Sequence, residues 1–259
     1  MRYALAVEYD GAAFCGWQFQ KHCVSVQEVV ERALSIVADE PVQVVCSGRT
    51  DAGVHARAQV VHFDCSAERP DRAWLMGANA NMQGRVAIHW GQRVADDFHA
   101  RYSACGRRYR YVILNRVARP GLARGQVGWV YPRLDHEAMH AAAQALVGEF
   151  DFTSFRAAGC QARHAVREIF AIRVSREGDY VYVDIAANAF LHNMVRIIVG
   201  SLIRVGKGEA PVSWIGELLQ LRDRTAGGVT AVPDGLYFLG AWYPERFGIP
   251  DFSQAVTTF

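Results

Sequence analysis

The sequence predicts an α+β fold: two β-α-β-β-α-β halves joined into one extended antiparallel sheet, with helices on one face and a cleft on the other. Three observations point there. The same order of strand and helix signals occurs twice along the chain. The 259 residues suit one large domain or two small ones. A hydrophobic content of 51% with 21% charged residues is that of a globular protein and excludes a disordered one.

The first half opens with a strand over Tyr3–Tyr9. Ser25-Val26-Gln27-Glu28 has the form of a capping box, in which serine and glutamate satisfy orphan amides at a helix start. Val26, Val29, Val30, Ala33, Leu34 and Val37 follow at helical spacing. Strands at Val42–Cys46 and Ala58–Phe63, a short helix near Asp71–Ala78 and a strand at Val86–Val94 complete this half. The second half starts with a strand at Arg107–Leu114, where Tyr109, Tyr111 and Ile113 alternate with Arg108, Arg110 and Val112. Asp135 is a good N-cap for a helix carrying Met139, Ala142, Ala143, Leu146 and Val147. Strands at Val166–Val174 and Tyr180–Ala186 precede a helix over Phe190–Val205 that stops at Gly206. Trp214–Leu221 reads as a helix and Leu236–Trp242 as a last strand. Each half therefore has the ferredoxin-like pattern. The repeat lies in the order of elements, not in the residues. The boundary falls near Ser103–Gly106, giving domains 1–104 and 105–259.

Several classes are excluded early. No apolar run approaches the roughly 18–20 residues of a membrane span. Glu8 and Asp10 come too soon after Met1 for a secretory signal. The six cysteines form no C-x-x-C pair and read as reduced thiols of a cytoplasmic protein. There is no H-E-x-x-H, no acidic cluster and no G-x-x-x-x-G-K loop, so neither a metal nor a nucleotide cofactor is called for.

Net charge is only +2, but its distribution is uneven. Phe98–Leu134 holds no Asp or Glu, and holds Arg101, Arg107, Arg108, Arg110, Arg116, Arg119, Arg124 and Arg133. The only lysines are Lys21 and Lys207, so the chain prefers arginine throughout. That preference explains arginine in place of lysine. It does not explain the missing acids, which favour a nucleic-acid backbone as the partner.

The segment richest in chemistry is Gly48-Arg49-Thr50-Asp51-Ala52-Gly53-Val54-His55. Asp51 stands where a strand hands over to a glycine-flanked loop, so the backbone can turn sharply and a substrate can come close. Arg49, two residues away, favours the charged form of the carboxylate. Such a carboxylate can be a nucleophile, a base or a ligand. Asp51 and His55 are four apart, but Gly53 between them argues against a shared helix face, and a structural or substrate-side role suits His55 better than metal binding. Aromatics alternating with arginines around Tyr109 can stack bases and hold phosphates, while packing in the core competes as a role for Tyr111. His192 and Arg196 are four apart on a very apolar helix, where an arginine needs a partner.

In combination these segments resemble the tRNA pseudouridine synthase A family. The resemblance runs through Glu8-Tyr9-Asp10-Gly11, Gly16-Trp17-Gln18, Ser25-Val26-Gln27-Glu28, the Asp51 segment, Asp97-Phe98-His99-Ala100-Arg101 and Arg107-Arg108-Tyr109-Arg110-Tyr111. It continues through Asp151-Phe152-Thr153-Ser154-Phe155, Asn188-Ala189-Phe190-Leu191-His192, Met194-Val195-Arg196 and Gly235-Leu236-Tyr237. It implies that Asp51 is the catalytic nucleophile, that Tyr109 stacks on the target base, that Arg49 helps to move or replace the flipped base, and that Arg196 pairs with Asp51. It further implies a cytoplasmic homodimer that converts uridines 38, 39 and 40 of the tRNA anticodon stem-loop, with no cofactor, metal or membrane. Asn193, Met82-Gln83 and Val232 depart from the family pattern, and none of them replaces a matched catalytic residue. A non-catalytic RNA-binding module leaves the Asp51 loop unexplained. A metal-dependent hydrolase using Asp51 and His55 lacks the rest of its ligands.

Overall fold

The computed structural model describes residues 1–82 and 84–254, so Gln83 and the end of the C-terminal tail lie outside the described residues. The chain forms two compact units, Met1–Arg107 together with the chain from Tyr237 onward, and Arg108–Leu236.

Unit 1 contains β1 (Arg2–Tyr9), α1 (Val26–Ala38), β2 (Val45–Cys46), β3 (His55–Asp64), α2 (Asp71–Asn81) and β4 (Val86–Val94). This is the β-α-β-β-α-β order expected. β1 lies between β4 and β3 and is antiparallel to both. Its central position explains its composition: Tyr3, Ala4, Leu5, Ala6 and Val7 are all buried, on both faces of the strand. Ser25 caps α1, its side chain accepting from the Glu28 amide, and the buried stripe Val26, Val29, Val30, Ala33, Leu34 follows. α1 packs on α2, and α2 on β4.

The strand expected over Val42–Cys46 is shorter than its sequence suggests. The Val42 and Val44 amides bond to side chains of α1, Ser35 Oγ at 2.9 Å and Glu31 Oε1 at 2.9 Å. Helix side chains thus take the amides that a ladder would use, and only Val45 and Cys46 pair with β3.

Unit 2 contains β5 (Gly106–Leu114, its first two residues in unit 1), β6 (Gly128–Trp129), α3 (His136–Ala143), β7 (Gly148–Asp151), β8 (Val166–Glu177), β9 (Tyr180–Ala187), α4 (Met194–Gly206) and α5 (Trp214–Leu221). Its strands run in the order β5-β9-β8-β7, with β6 parallel to the end of β5. β8 pairs antiparallel with β9 and with β7. Asp135 caps α3 through its side chain, as expected, and α3 packs on β8 and α4. The short strands β6 and β7 have too few residues to show a period, and the sequence does not reveal them.

Three further expectations change. The last strand, β10 (Leu236–Trp242), pairs in parallel with the start of β3, Tyr237 opposite His55 and Phe238 opposite Ala56. β2 occupies only Val61 and His62 along β3, which leaves that strand's first residues available. The helix expected from Phe190 begins at Met194, because Asn193 adopts a left-handed backbone (φ 58°) and the Met194 amide closes on the Leu191 carbonyl. His192 therefore precedes α4, and the i, i+4 relation with Arg196 does not hold. Finally, not all six cysteines are free thiols. The Cys15 amide bonds to the Val24 carbonyl and Gln20 bridges Cys23, folding this loop back so that Cys15 and Cys23 stand 6.2 Å apart between Cα atoms and form a disulfide.

α4 is buried nearly all round, including Met194, Val195, Ile197, Ile198, Val199 and Leu202. A Cβ added at Gly200 would lie 1.7 Å from the Val229 carbonyl oxygen, so only glycine lets this stretch of chain cross the helix. The crossing chain also supplies the partner that Arg196 needs.

Candidate active site

Asp51 sits on the connection between β2 and β3. The Ser47 amide bonds to the Val60 carbonyl at 2.8 Å, and beyond it the chain leaves the sheet. The Val54 amide then closes a turn on the Asp51 carbonyl at 3.1 Å, with Gly53 at φ 80°, and β3 begins at His55. Asp51 is half-buried and Arg49 is exposed on the same loop. The loop is clamped from outside. The Trp17 amide donates to the Thr50 carbonyl at 3.0 Å, and Tyr9 Oη and Thr50 Oγ1 share a hydrogen bond of 2.7 Å. Arg107 donates to the Ser47 carbonyl through Nε and Nη2. Hydrogen-bonded neighbours of this kind hold the loop in one geometry.

His55 has a structural place here. It is 3% exposed, its Nδ1 accepts from the Gly11 amide at 3.0 Å, and its ring stacks on Tyr237 at 4.7 Å. Asp10 lies 3.2 Å from the same nitrogen and is held by Arg85. His62, also on β3, accepts from the Ala100 amide through Nδ1. Burial pushes its pKa down to about 4, so it is neutral near pH 7.

In unit 2, Tyr109 is half-buried on β5, its ring edge-on to Phe190 at 5.0 Å. Tyr111 belongs to the core: it is 1% exposed, and its hydroxyl donates to the Val232 carbonyl at 2.8 Å. Arg196 is half-buried in the first turn of α4. Its Nε donates to the Ala231 carbonyl at 2.7 Å and its Nη1 to Asn193 Oδ1 at 2.9 Å. These two bonds aim the guanidinium. The structure thus places Arg49 and Asp51 on one loop of unit 1, and Tyr109 and Arg196 in unit 2.

The acid-free window is not one uniform surface. Arg110 makes a bidentate pair with Asp184 at 2.7 and 2.9 Å and lies over the Tyr182 ring. Arg107 is engaged with backbone carbonyls. Arg101, Arg116, Arg119, Arg124 and Arg133 are exposed. The acids missing from the window in sequence are partly supplied by β9 in space. Among the described residues no three His, Cys, Asp or Glu side chains are grouped to hold a metal, and no helix is long and apolar enough to cross a membrane.

The family model described as tRNA pseudouridine synthase matches residues 5–103 and 142–244. The chain belongs to the tRNA pseudouridine synthase family. The chain is similar to the tRNA pseudouridine synthase A of Pseudoalteromonas atlantica, with 54% identity over 96% of this chain and 95% of that protein. It is similar to that of Hydrogenovibrio crunogenus, with 53% identity over 95% of this chain and 94% of that one. Among solved structures, it resembles a chain of the archaeal box H/ACA sRNP Nop10-Cbf5 complex at 11% identity and a TM-score of 0.35, covering 92% of this chain and about half (48%) of that one. Membership makes this chain an enzyme of the isomerase class. The matched segments include the Asp51 loop, and the second includes Arg196, whereas Tyr109 lies between the two.

The residues around the predicted set were not singled out from the sequence. Gln59, which bonds to the Asp51 loop, gave one signal: a lone amide in the apolar run Ala58-Gln59-Val60-Val61. Phe190, which contacts Tyr109, was visible only as part of a segment resembling the family, and Ala231, which bonds to Arg196, gave no signal.

Proposed function

We propose that this chain converts uridine to pseudouridine at positions 38, 39 and 40 of the tRNA anticodon stem-loop, with Asp51 as the nucleophile. The observation that carries the reading is the Asp51 loop: a half-buried carboxylate, flanked by glycines and clamped by Tyr9, Trp17 and Arg107, within a chain of this family. The reaction breaks the bond from ribose C1′ to uracil N1 and forms one from C1′ to C5. The hydrogen at C5 leaves and N1 takes up a proton, so nothing is oxidised and no cofactor is needed. Asp51 opens the reaction at the nucleotide. In this reading Arg196, already oriented by Ala231 and Asn193, pairs with it through a charge-assisted hydrogen bond.

The target base must leave its stack, at a cost of a few kcal/mol. Tyr109 stacking and Arg49 in the vacated place offset that cost. The exposed arginines contact phosphates. The protein works as a homodimer in the cytoplasm, where tRNA is made, and sedimentation of the pure protein tests the dimer.

Incubation with an unmodified tRNA transcript, followed by mapping of pseudouridine, tests the function. Modification confined to 38–40 is expected. Modification elsewhere, or none, would overturn the assignment of positions. Tyr109→Phe is expected to retain more activity than Tyr109→Ala, because stacking uses the ring. Base–aromatic stacking is worth about 1–3 kcal/mol, so the alanine variant should lose roughly 5- to 150-fold in kcat/KM. Equal rates for the two would count against stacking.

A further inference from the structure

We infer that Gln59 is a positioning residue for the reaction, aiming the loop that carries Asp51. The inference rests on Asp51 as the nucleophile. Gln59 is 0% exposed on β3. Its Oε1 accepts from Ser47 Oγ at 2.6 Å and from the Gly48 amide at 3.2 Å. Its Nε2 donates to the Gly48 carbonyl and, at 3.4 Å, to Tyr9 Oη. All four hydrogen bonds open to a side-chain amide are made. Three go to the consecutive residues Ser47 and Gly48. The fourth goes to Tyr9, whose hydroxyl meets Thr50 Oγ1 at 2.7 Å, one residue before Asp51.

One buried amide therefore grips both backbone groups of Gly48, where the chain leaves the sheet, and through Tyr9 reaches Thr50. The job needs an amide. A glutamate cannot donate to the Gly48 carbonyl in its charged form, and a methionine fills the space but leaves Gly48 without its partners. Gly48 itself offers no side chain to fix the loop, and a Cβ added there would meet nothing within 4 Å. The position of this part of the loop is thus set by Gln59 more than by packing.

The test compares Gln59→Met and Tyr9→Phe with the parent protein and with Asp51→Asn. Three measurements are made: single-turnover tritium release from C5-labelled tRNA transcript at saturating enzyme, the tRNA Kd, and thermal melting. A misplacement on the order of 1 Å can cost about 100-fold in rate. Gln59→Met should lose roughly 10- to 100-fold in rate, and Tyr9→Phe less, with the tRNA Kd unchanged in both. A parent-like rate in folded Gln59→Met, or a loss explained by weaker tRNA binding, overturns the inference. If Gln59→Met does not fold, Tyr9→Phe decides: a slowed reaction with unchanged Kd supports positioning, and a parent-like rate overturns it. Turnover by Asp51→Asn would sink the nucleophile reading. An inert Asp51→Asn beside a parent-like Gln59→Met sinks only the positioning role.

Discussion

Asp51→Asn is expected to stop pseudouridine formation while the protein folds and binds tRNA as before. The substitution keeps the size of the side chain and removes its charge and nucleophilicity. The loop around it is held by neighbours: Trp17 on the Thr50 carbonyl, Tyr9 on the Thr50 hydroxyl, Arg107 on the Ser47 carbonyl. The backbone geometry should therefore survive. Removing a catalytic nucleophile typically costs on the order of 10⁴-fold or more in kcat. Single-turnover tritium release, with tRNA binding measured on the same preparation, reads both halves of the expectation. A folded, pure variant that still turns over appreciably would show that another group does the chemistry.

Gly16→Ala is expected to lower both stability and rate. Gly16 is buried with φ at +93°, where an L side chain costs about 1–2 kcal/mol. Its added Cβ would also lie 2.7 Å from the Thr50 carbonyl oxygen and 3.0 Å from the Asp51 carbonyl carbon. Both contacts are backbone, so neither can rotate away. The chain must move at Gly16 or at Asp51. Overpacking adds roughly 1–3 kcal/mol, for a total near 3 kcal/mol. In a protein of this size that lowers Tm by about 6–12 °C. Displacement of the loop should also slow single turnover by on the order of 10- to 100-fold. Parent-like melting and rate together would mean that the loop accommodates the methyl group, and that its position is less constrained than its contacts suggest.

Much of the local structure was legible because it depends on short-range periodicity and capping. The Ser25 cap, the α1 stripe, the Asp135 cap and the strand over β5 follow from patterns within a dozen residues. The elements misjudged were those settled by distant contacts. Val42–Val44 have strand-like residues, but Ser35 and Glu31 take two of their amides. Phe190–Asn193 continue a helical pattern, but the left-handed Asn193 postpones the helix. Asp51 and Arg49 were visible as a motif in one short segment. The bracing role of Gln59, Tyr9 and Trp17 was not, although Tyr9 and Trp17 stand in segments that resemble the family, because a buried hydrogen bond leaves little mark on sequence spacing.

The sequence by itself determined the two β-α-β-β-α-β readings, the carboxylate on its glycine-flanked loop and the family resemblance. These are properties of residue type and order. The tertiary structure decided where β10 pairs, that Cys15 and Cys23 meet, that Asp184 satisfies Arg110, and that Gln59 and Tyr9 brace the loop before Asp51. The physical reason is the range of the interactions. Periodicity and caps act over a few residues, whereas a strand edge or a buried amide takes whichever partner the fold brings to it.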